Sequence, residues 1–304
     1  VQVLIQLHKI EQSLNQVILG KPQQIRLALC CLLAEGHLLL EDLPGMGKTT
    51  LAHALANSLG LSYRRVQFTS DLLPGDLVGL NIYDAQSQQF RFQAGPVFSQ
   101  VLLADEINRA SPKTQSALLE AMEEKQVSVD GETRALPTPF FVIATQNPLF
   151  HAGTSALPES QLDRFMFRLS LGFPDHQAEH QLLQRDSSRS RLELLSEQLN
   201  TEQLRALQQQ VPQVKASDAL IDYLLALVNS SRHRSDMLPL SPRASKATLR
   251  AAKAFAFING RDYVSAADVQ QVFPYVAEHR LDPSSAAQES RLSQMLLQQT
   301  PCPI

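Results

Sequence analysis

Leu38-Leu-Leu-Glu-Asp-Leu-Pro-Gly-Met-Gly-Lys-Thr-Thr50 is the stretch on which the fold of this 304-residue chain turns. His37 to Leu40 is a short apolar run that fits a buried strand. It enters a loop carrying Gly45 and Gly47, then Lys48 and Thr49. Helical spacing follows through Leu51, Ala52, Leu55 and Ala56 as far as Leu59. A strand, a glycine loop and a helix start in that order make a phosphate cradle, because loop amides and the free N–H groups of the first helical turn point at an anion. The glycines allow backbone conformations that a Cβ would block. Lys48 is placed to reach β- and γ-phosphates and the Thr49 hydroxyl to ligate Mg²⁺. Asp42 stands where the pattern G-x-x-x-x-G-K-[ST] has its first Gly. A carboxylate so near phosphates is tolerable only if it points away.

Working outward, Val101 to Ala104 is a second apolar strand, and it ends in Asp105-Glu106. Strand C-termini of α/β proteins open into the ligand crevice. There Asp105 would hold Mg²⁺ through water and Glu106 would polarise an attacking water, a division of labour that suits phosphoryl transfer. Phe140 to Thr145 runs likewise into Asn147, which could orient water or touch a γ-phosphate. Tyr63 to Phe68 and Phe165 to Leu171 complete five strands separated by helices, which predicts a parallel sheet covered on both faces. Ser111-Pro112 reads as N-cap and first helical residue, and Asp130-Gly131 marks a hairpin within Val127 to Leu136. Arg164 precedes the fifth strand. Arg243 follows Ser241-Pro242 in the first turn of a helix, where a cation opposes the helix dipole and an anion such as phosphate would offset the cost.

From Pro174 onward only helical spacing is found, at about 175–186, 201–211, 217–231, 242–259, 265–277 and 286–299. Two domains are expected: an α/β nucleotide-binding domain over 1–173 and a smaller all-helical lid over 174–304. A composition 44% hydrophobic and 19% charged supports a sizeable core. A formal net charge of −3 argues against a protein devoted to gripping nucleic acid. Three cysteines make no disulfide framework, and Cys30 and Cys31 read as small helix-core residues. Without an apolar run of membrane-spanning length or a secretory signal, the expected location is the cytoplasm. His176-Gln-Ala-Glu-His180 matches a zinc-peptidase pattern, H-x-x-E-H, but nothing marks a third ligand, so solvated helix surface is the better reading.

Five blocks in order carry a resemblance: Glu41-Asp-Leu-Pro-Gly-Met-Gly-Lys-Thr49, Asp105-Glu-Ile-Asn-Arg-Ala110 with the helix running on to Glu124, Ala144-Thr-Gln-Asn-Pro148, Leu157-Pro-Glu-Ser-Gln-Leu-Asp-Arg-Phe165 and Ser241-Pro-Arg243. From Val17 to about Val276 the chain resembles the MoxR family of AAA+ ATPases. The resemblance implies a P-loop AAA+ three-layer parallel-sheet domain followed by a helical lid, with ATP or ADP and Mg²⁺ as cofactors. It places the nucleotide against Ile18, Gly20, Pro44, Gly45, Met46, Gly47, Lys48, Thr49 and Thr50, with Thr49 and Asp105 serving the metal. Asn147 matches sensor 1, Arg164 an arginine finger acting on a neighbouring subunit's nucleotide, and Arg243 sensor 2 on the lid. The Asp42 variant also occurs in that family. Asp71 to Gly95 resembles the clade's inserted loop and Val127 to Leu136 its pre-sensor hairpin, both tending to face a central pore. A homo-oligomer, in all expectation a hexameric ring, is implied. So are a partner with a von Willebrand A domain and a client protein complex that the ATPase helps to mature, to load with metal or cofactor, or to activate. Two other readings share these blocks: a DNA-acting relative like the minichromosome-maintenance helicases, and a nucleotide-binding scaffold with little turnover.

Overall fold

Five parallel strands form the central sheet of the computed structural model, in the order β2-β5-β8-β1-β9. The structure describes residues 2–147, 157–184, 192, 195 and 197–302. The strands are β1 Leu38–Glu41, β2 Tyr63–Gln67, β5 Val101–Asp105, β8 Phe141–Gln146 and β9 Phe167–Leu169. Every residue of β5 and β8 is buried, and so is Leu38 to Leu40 of β1. Such unbroken apolar runs form strands covered on both faces, as the sequence predicts. β2, at one edge, has half-buried Tyr63 and Val66 and exposed Arg64, Arg65 and Gln67.

Two hydrophobic clusters lie on the two faces. One packs Leu39, Leu102, Ala104, Val142 and Ala144 against Leu118, Leu119 and Met122 of the Pro112–Glu124 helix. The other packs Leu38, Leu40, Val101, Leu103 and Ile143 against the Pro22–Leu33 and Lys48–Ser58 helices, and it continues without a break into the C-terminal helices through Ala251, Val272, Phe273 and Val276. Cys30 and Cys31 lie in this second core, and burial pushes both thiols up in pKa. Past β9, described helices cover His176–Gln184, Thr201–Gln210, Asp218–Arg232, Pro242–Ile258, Ala266–Leu281 and Arg291–Gln299. The only β-contact there among the described residues is a single bridge, Lys215 to Tyr263. Ser111 and Ser241 cap their helices by accepting from Thr114 N at 3.3 Å and Ala244 N at 3.1 Å, with Pro112 and Pro242 at the first helical position.

Two elements lay outside the sequence expectation. Gln2–Val17 is a helix whose Leu7, Ile10, Leu14 and Val17 recur at helical spacing and are buried. The stretch expected as an inserted loop is a short helix, Pro74–Val78, followed by an antiparallel hairpin of β3 Gly79–Asp84 and β4 Gln89–Ala94. That hairpin leaves Leu80, Ile82, Tyr83 and Phe90 exposed, although Phe90-Arg91-Phe92-Gln93 alternates apolar with polar as a strand does. It leans on the second hairpin, β6 Gln126–Val129 with β7 Glu132–Ala135, which the Asp130-Gly131 turn predicts. The Arg134 guanidinium lies 3.9 Å from the centre of the Phe92 ring and Asn81 Nδ2 donates to Asp130 at 2.7 Å. No helix among the described residues is long and apolar enough to cross a membrane.

Candidate functional site

The C-terminal ends of β1, β5 and β8 lie side by side, since Glu41 pairs with Gln146 and Ala104 with Ala144. That register brings the glycine loop, the acidic pair and Asn147 to one edge of the sheet. Gly45 and Gly47 have φ of 86° and 90°, and a Cβ on either would meet nothing within 4 Å. The left-handed backbone, not crowding, therefore demands glycine here. Gly47 precedes the Lys48–Ser58 helix with no side-chain cap, so the amides of Lys48, Thr49 and Thr50 have no acceptor within the helix.

Lys48 is buried, and its Nζ donates to Asp42 O at 2.5 Å, Asn147 Oδ1 at 3.2 Å and Gln146 O at 3.5 Å. All three acceptors are uncharged. Burial lowers its pKa, opposed by the more distant charges of Asp42, Asp105, Glu106 and Glu41. A buried ammonium with no carboxylate in direct contact is a site that favours an incoming anion. The carboxylate of Asp42 does point away. Its oxygens accept from Ser170 Oγ at 2.6 Å, Leu171 N at 2.6 Å and Gly172 N at 3.1 Å, so it ties the loop to the end of β9.

Asp105 accepts from Thr145 Oγ1 at 2.6 Å on one oxygen, and from Arg65 Nη2 at 2.6 Å and Nε at 3.1 Å on the other. Glu106 sits in the left-handed region at φ 56°, its amide donating to the same Thr145 hydroxyl at 2.9 Å. Its carboxylate accepts from Asn147 Nδ2 at 2.9 Å, Gln67 Nε2 at 2.9 Å and Arg109 Nη1 at 2.7 Å. Asn147 thus bridges Lys48 and Glu106. Thr145, Arg65, Gln67 and Arg109 escaped the sequence reading. Only Arg109 had a local signal, lying three residues after Glu106 in the same turn. Thr145 could have been found as the polar residue closing an otherwise apolar strand. Further along, Ile18 is buried, and Gly20, at φ 71°, packs so close to the His176–Gln184 helix that a Cβ would meet Ala178 Cβ at 2.8 Å.

Arg164 and Arg243 do not join this group. Met166 N donates to His37 O at 2.8 Å, and β9 runs parallel to β1 with Leu38 beside Phe167. Arg164 therefore lies at the end of the sheet where strands begin, and the glycine loop lies where they finish. The four residues of β1 put about 13 Å between those ends, more than an arginine side chain spans. Arg243 sits with Arg164: both contact Glu123, and Arg243 Nη1 is 3.6 Å from Asp163. The anions that offset the helix dipole at Arg243 are these carboxylates. His176 and His180 share a helix face with ring centroids 6.4 Å apart, and no group of three or more metal-ligating side chains is present among the described residues.

The sequence matches the profile of the ATPase family associated with various cellular activities (AAA) over residues 37–167 and that of the AAA lid domain over 232–300. It is 46% identical to the uncharacterised protein YeaC of Bacillus subtilis, over 90% of this chain and 86% of that one. It is 38% identical to Chaperone MoxR1 of Mycobacterium tuberculosis, over 91% of this chain and 76% of that one. The chain belongs to the MoxR family of AAA+ ATPases. Protein MoxR of Paracoccus denitrificans is 33% identical, with 92% and 90% covered. A crystal structure of a protein from Cytophaga hutchinsonii superposes with a TM-score of 0.89 at 32% identity, over 100% of this chain and 96% of that one. The AAA sheet and helical lid expected for a MoxR protein are thus the fold observed.

Proposed function

We propose that this MoxR-family chain binds and hydrolyses Mg-ATP at the C-terminal edge of its sheet, and that a neighbouring subunit's Arg164 and Arg243 complete the site. The observation that carries this is Lys48: a buried ammonium facing only neutral oxygens, at the mouth of a left-handed glycine loop and an uncapped helix start. Those groups accept the β- and γ-phosphates. Thr49 and Asp105 would hold the magnesium, which would supply positive charge against the phosphate oxygens. Glu106, steadied by Asn147, Gln67 and Arg109, orients and polarises the attacking water. Ile18 and Gly20 border the nucleotide's base, near where the chain passes from sheet to lid.

Arg164 and Arg243 lie at the opposite end of the sheet from the loop of their own chain, so they serve a site only across a subunit boundary. That requirement makes hydrolysis depend on assembly, and an arginine finger is worth roughly 10³–10⁵ in rate. A closed ring, taken as a hexamer, satisfies it for every subunit. We read the two linked hairpins, with Leu80, Ile82, Tyr83 and Phe90 exposed, as the surface that touches a client. The work done is remodelling: maturing, loading with metal or cofactor, or activating a protein complex, alongside a partner with a von Willebrand A domain, from a cytoplasmic pool.

Glu106→Gln is the direct test. Nucleotide affinity should survive while steady-state phosphate release falls at least about 100-fold, the scale of a lost general base. Equal turnover in the variant and the parent protein would refute the assignment.

A further inference from the structure

Glu123 is the next-to-last residue of the Pro112–Glu124 helix, and its carboxylate gathers two arginines from distant parts of the chain. Its Oε2 lies 3.1 Å from Arg164 Nε, an ion pair without hydrogen-bond geometry, and its Oε1 accepts a hydrogen bond from Arg243 Nη2. Arg164 comes from the turn before β9, and Arg243 from the first turn of the Pro242–Ile258 helix. Beside them, Asp163 accepts from Arg280 Nε at 2.7 Å, faces Arg243 Nη1 at 3.6 Å and takes a contact from Ser241 Oγ at 3.4 Å. Arg280 is buried and donates to Asp163 O and Phe165 O, each at 2.8 Å, so it braces the turn. Three guanidiniums share two carboxylates, which leaves one positive charge on this face. The Arg164, Arg243 and Glu123 side chains are 29%, 46% and 36% exposed.

Ion pairs this exposed do little for stability. Two guanidiniums side by side in water repel and wander, and each side chain is rich in rotamers. A single carboxylate between them neutralises half of that charge and narrows the rotamers of both. Ordering a charged pair in advance lowers what must be lost when it meets a polyanion. We propose that Glu123 is the positioning residue that holds Arg164 and Arg243 as one paired cation for the triphosphate bound on the adjacent subunit. This rests on the proposed function, in which both arginines act in trans.

Mixed assemblies test the two ideas separately. A Lys48→Ala subunit cannot hydrolyse but still presents its arginines. An Arg164→Ala subunit can bind nucleotide but presents no finger. Mixed and shown by sizing to co-assemble, the two should regain turnover that neither has alone. No recovery would overturn action in trans, and with it the function proposed above. Given recovery, adding Glu123→Ala to the Lys48→Ala subunit should cut the restored kcat roughly 10- to 100-fold, the usual cost of a misplaced group, with KM for ATP within about twofold. Glu123→Gln keeps the shape without the charge and should give the same loss, so it replaces the alanine variant if that one does not fold. Undiminished recovery with Glu123 substituted would overturn the positioning role and leave the function standing. A fall in rate matched by an equal fall in co-assembly would also overturn it, by making Glu123 an interface residue only.

Discussion

Thr145→Val should damage both the fold and the turnover of this protein, although it changes one atom's identity and almost no volume. The Thr145 hydroxyl is fully buried at the end of β8. It donates to Asp105 Oδ1 at 2.6 Å and accepts from the Glu106 amide at 2.9 Å. Valine takes away the donor to Asp105 Oδ1 and the acceptor of the Glu106 amide, leaving Asp105 only its Arg65 contacts. A hydrogen bond to a charged group contributes about 1.5–3 kcal/mol, and an orphaned buried amide costs about 1–3 kcal/mol. Partial exposure of Glu106 discounts the second figure, so a loss of about 2–4 kcal/mol is expected. The same amide bond holds Glu106 in a left-handed backbone, which a side chain adopts only when its surroundings impose it. Releasing it lets the carboxylate drift from Asn147, and kcat should fall at least about tenfold while nucleotide affinity changes little. Urea unfolding at equilibrium measures the first effect and phosphate release the second. A variant within about 0.5 kcal/mol of the parent in stability and equal to it in kcat would refute the claim that this hydroxyl organises the acidic pair.

Asp42→Gly restores the consensus phosphate-loop pattern, yet it strips the acceptor from Ser170 Oγ, Leu171 N and Gly172 N. It should cost about 2–5 kcal/mol by urea unfolding, and a neutral or stabilising result would show that the loop does not need its tie to β9. His37 predicts an acid-labile fold: its Nδ1 accepts from Val142 N at 3.0 Å, its other nitrogen faces Met122 O at 3.3 Å, and burial pushes its pKa from 6.5 down to about 4. Between those values the unfolded chain binds a proton that the folded chain refuses, so this contribution is complete above pH 6.5 and is lost as pH falls toward 4, by about 3 kcal/mol in all. Unfolding curves at pH 7 and 4.5 should show that loss in the parent and a smaller one in His37→Gln; equal losses in both would assign the acid sensitivity elsewhere.

The buried strands were readable because burial on both faces leaves an uninterrupted apolar run, as in Leu38 to Leu40 and Phe141 to Ala144. Lys48, Asp105, Glu106 and Asn147 were readable for a related reason: each lies within about three residues of a strand's end or a helix's start, so sequence position alone implies spatial position. Contacts across the chain lack that property. Arg65 and Gln67 look like ordinary solvent-facing residues of an edge strand until the β2–β5 register sets Gln67 beside Asp105. Glu123 is one of several glutamates on a helix surface, and only the fold brings it to Arg243, 120 residues further on. The β3–β4 hairpin carries a strand signal in the alternation of Phe90-Arg91-Phe92-Gln93, which the expectation of an inserted loop passes over and the paired register shows.

The sheet itself separates the two halves of the proposed catalytic apparatus. β1 carries the phosphate loop at its end and His37 at its start, where His37 O takes the amide of Met166 and its ring reaches Met122 O on the Pro112–Glu124 helix. The next residue of that helix is Glu123 with its arginines, and just past the helix come β6 and the hairpin that Arg134 ties to Phe92. A neighbour's nucleotide that draws Arg164 and Arg243 outward would therefore pull on the end of the same helix from which the exposed hairpins hang. The loop of the donor chain, at the far edge of a sheet buried on both faces, would move least. On the proposed function, such an arrangement would let the state of one subunit's nucleotide reach the exposed hairpins of the next subunit before it affects that subunit's own phosphate loop. It would thereby set an order of events around a ring.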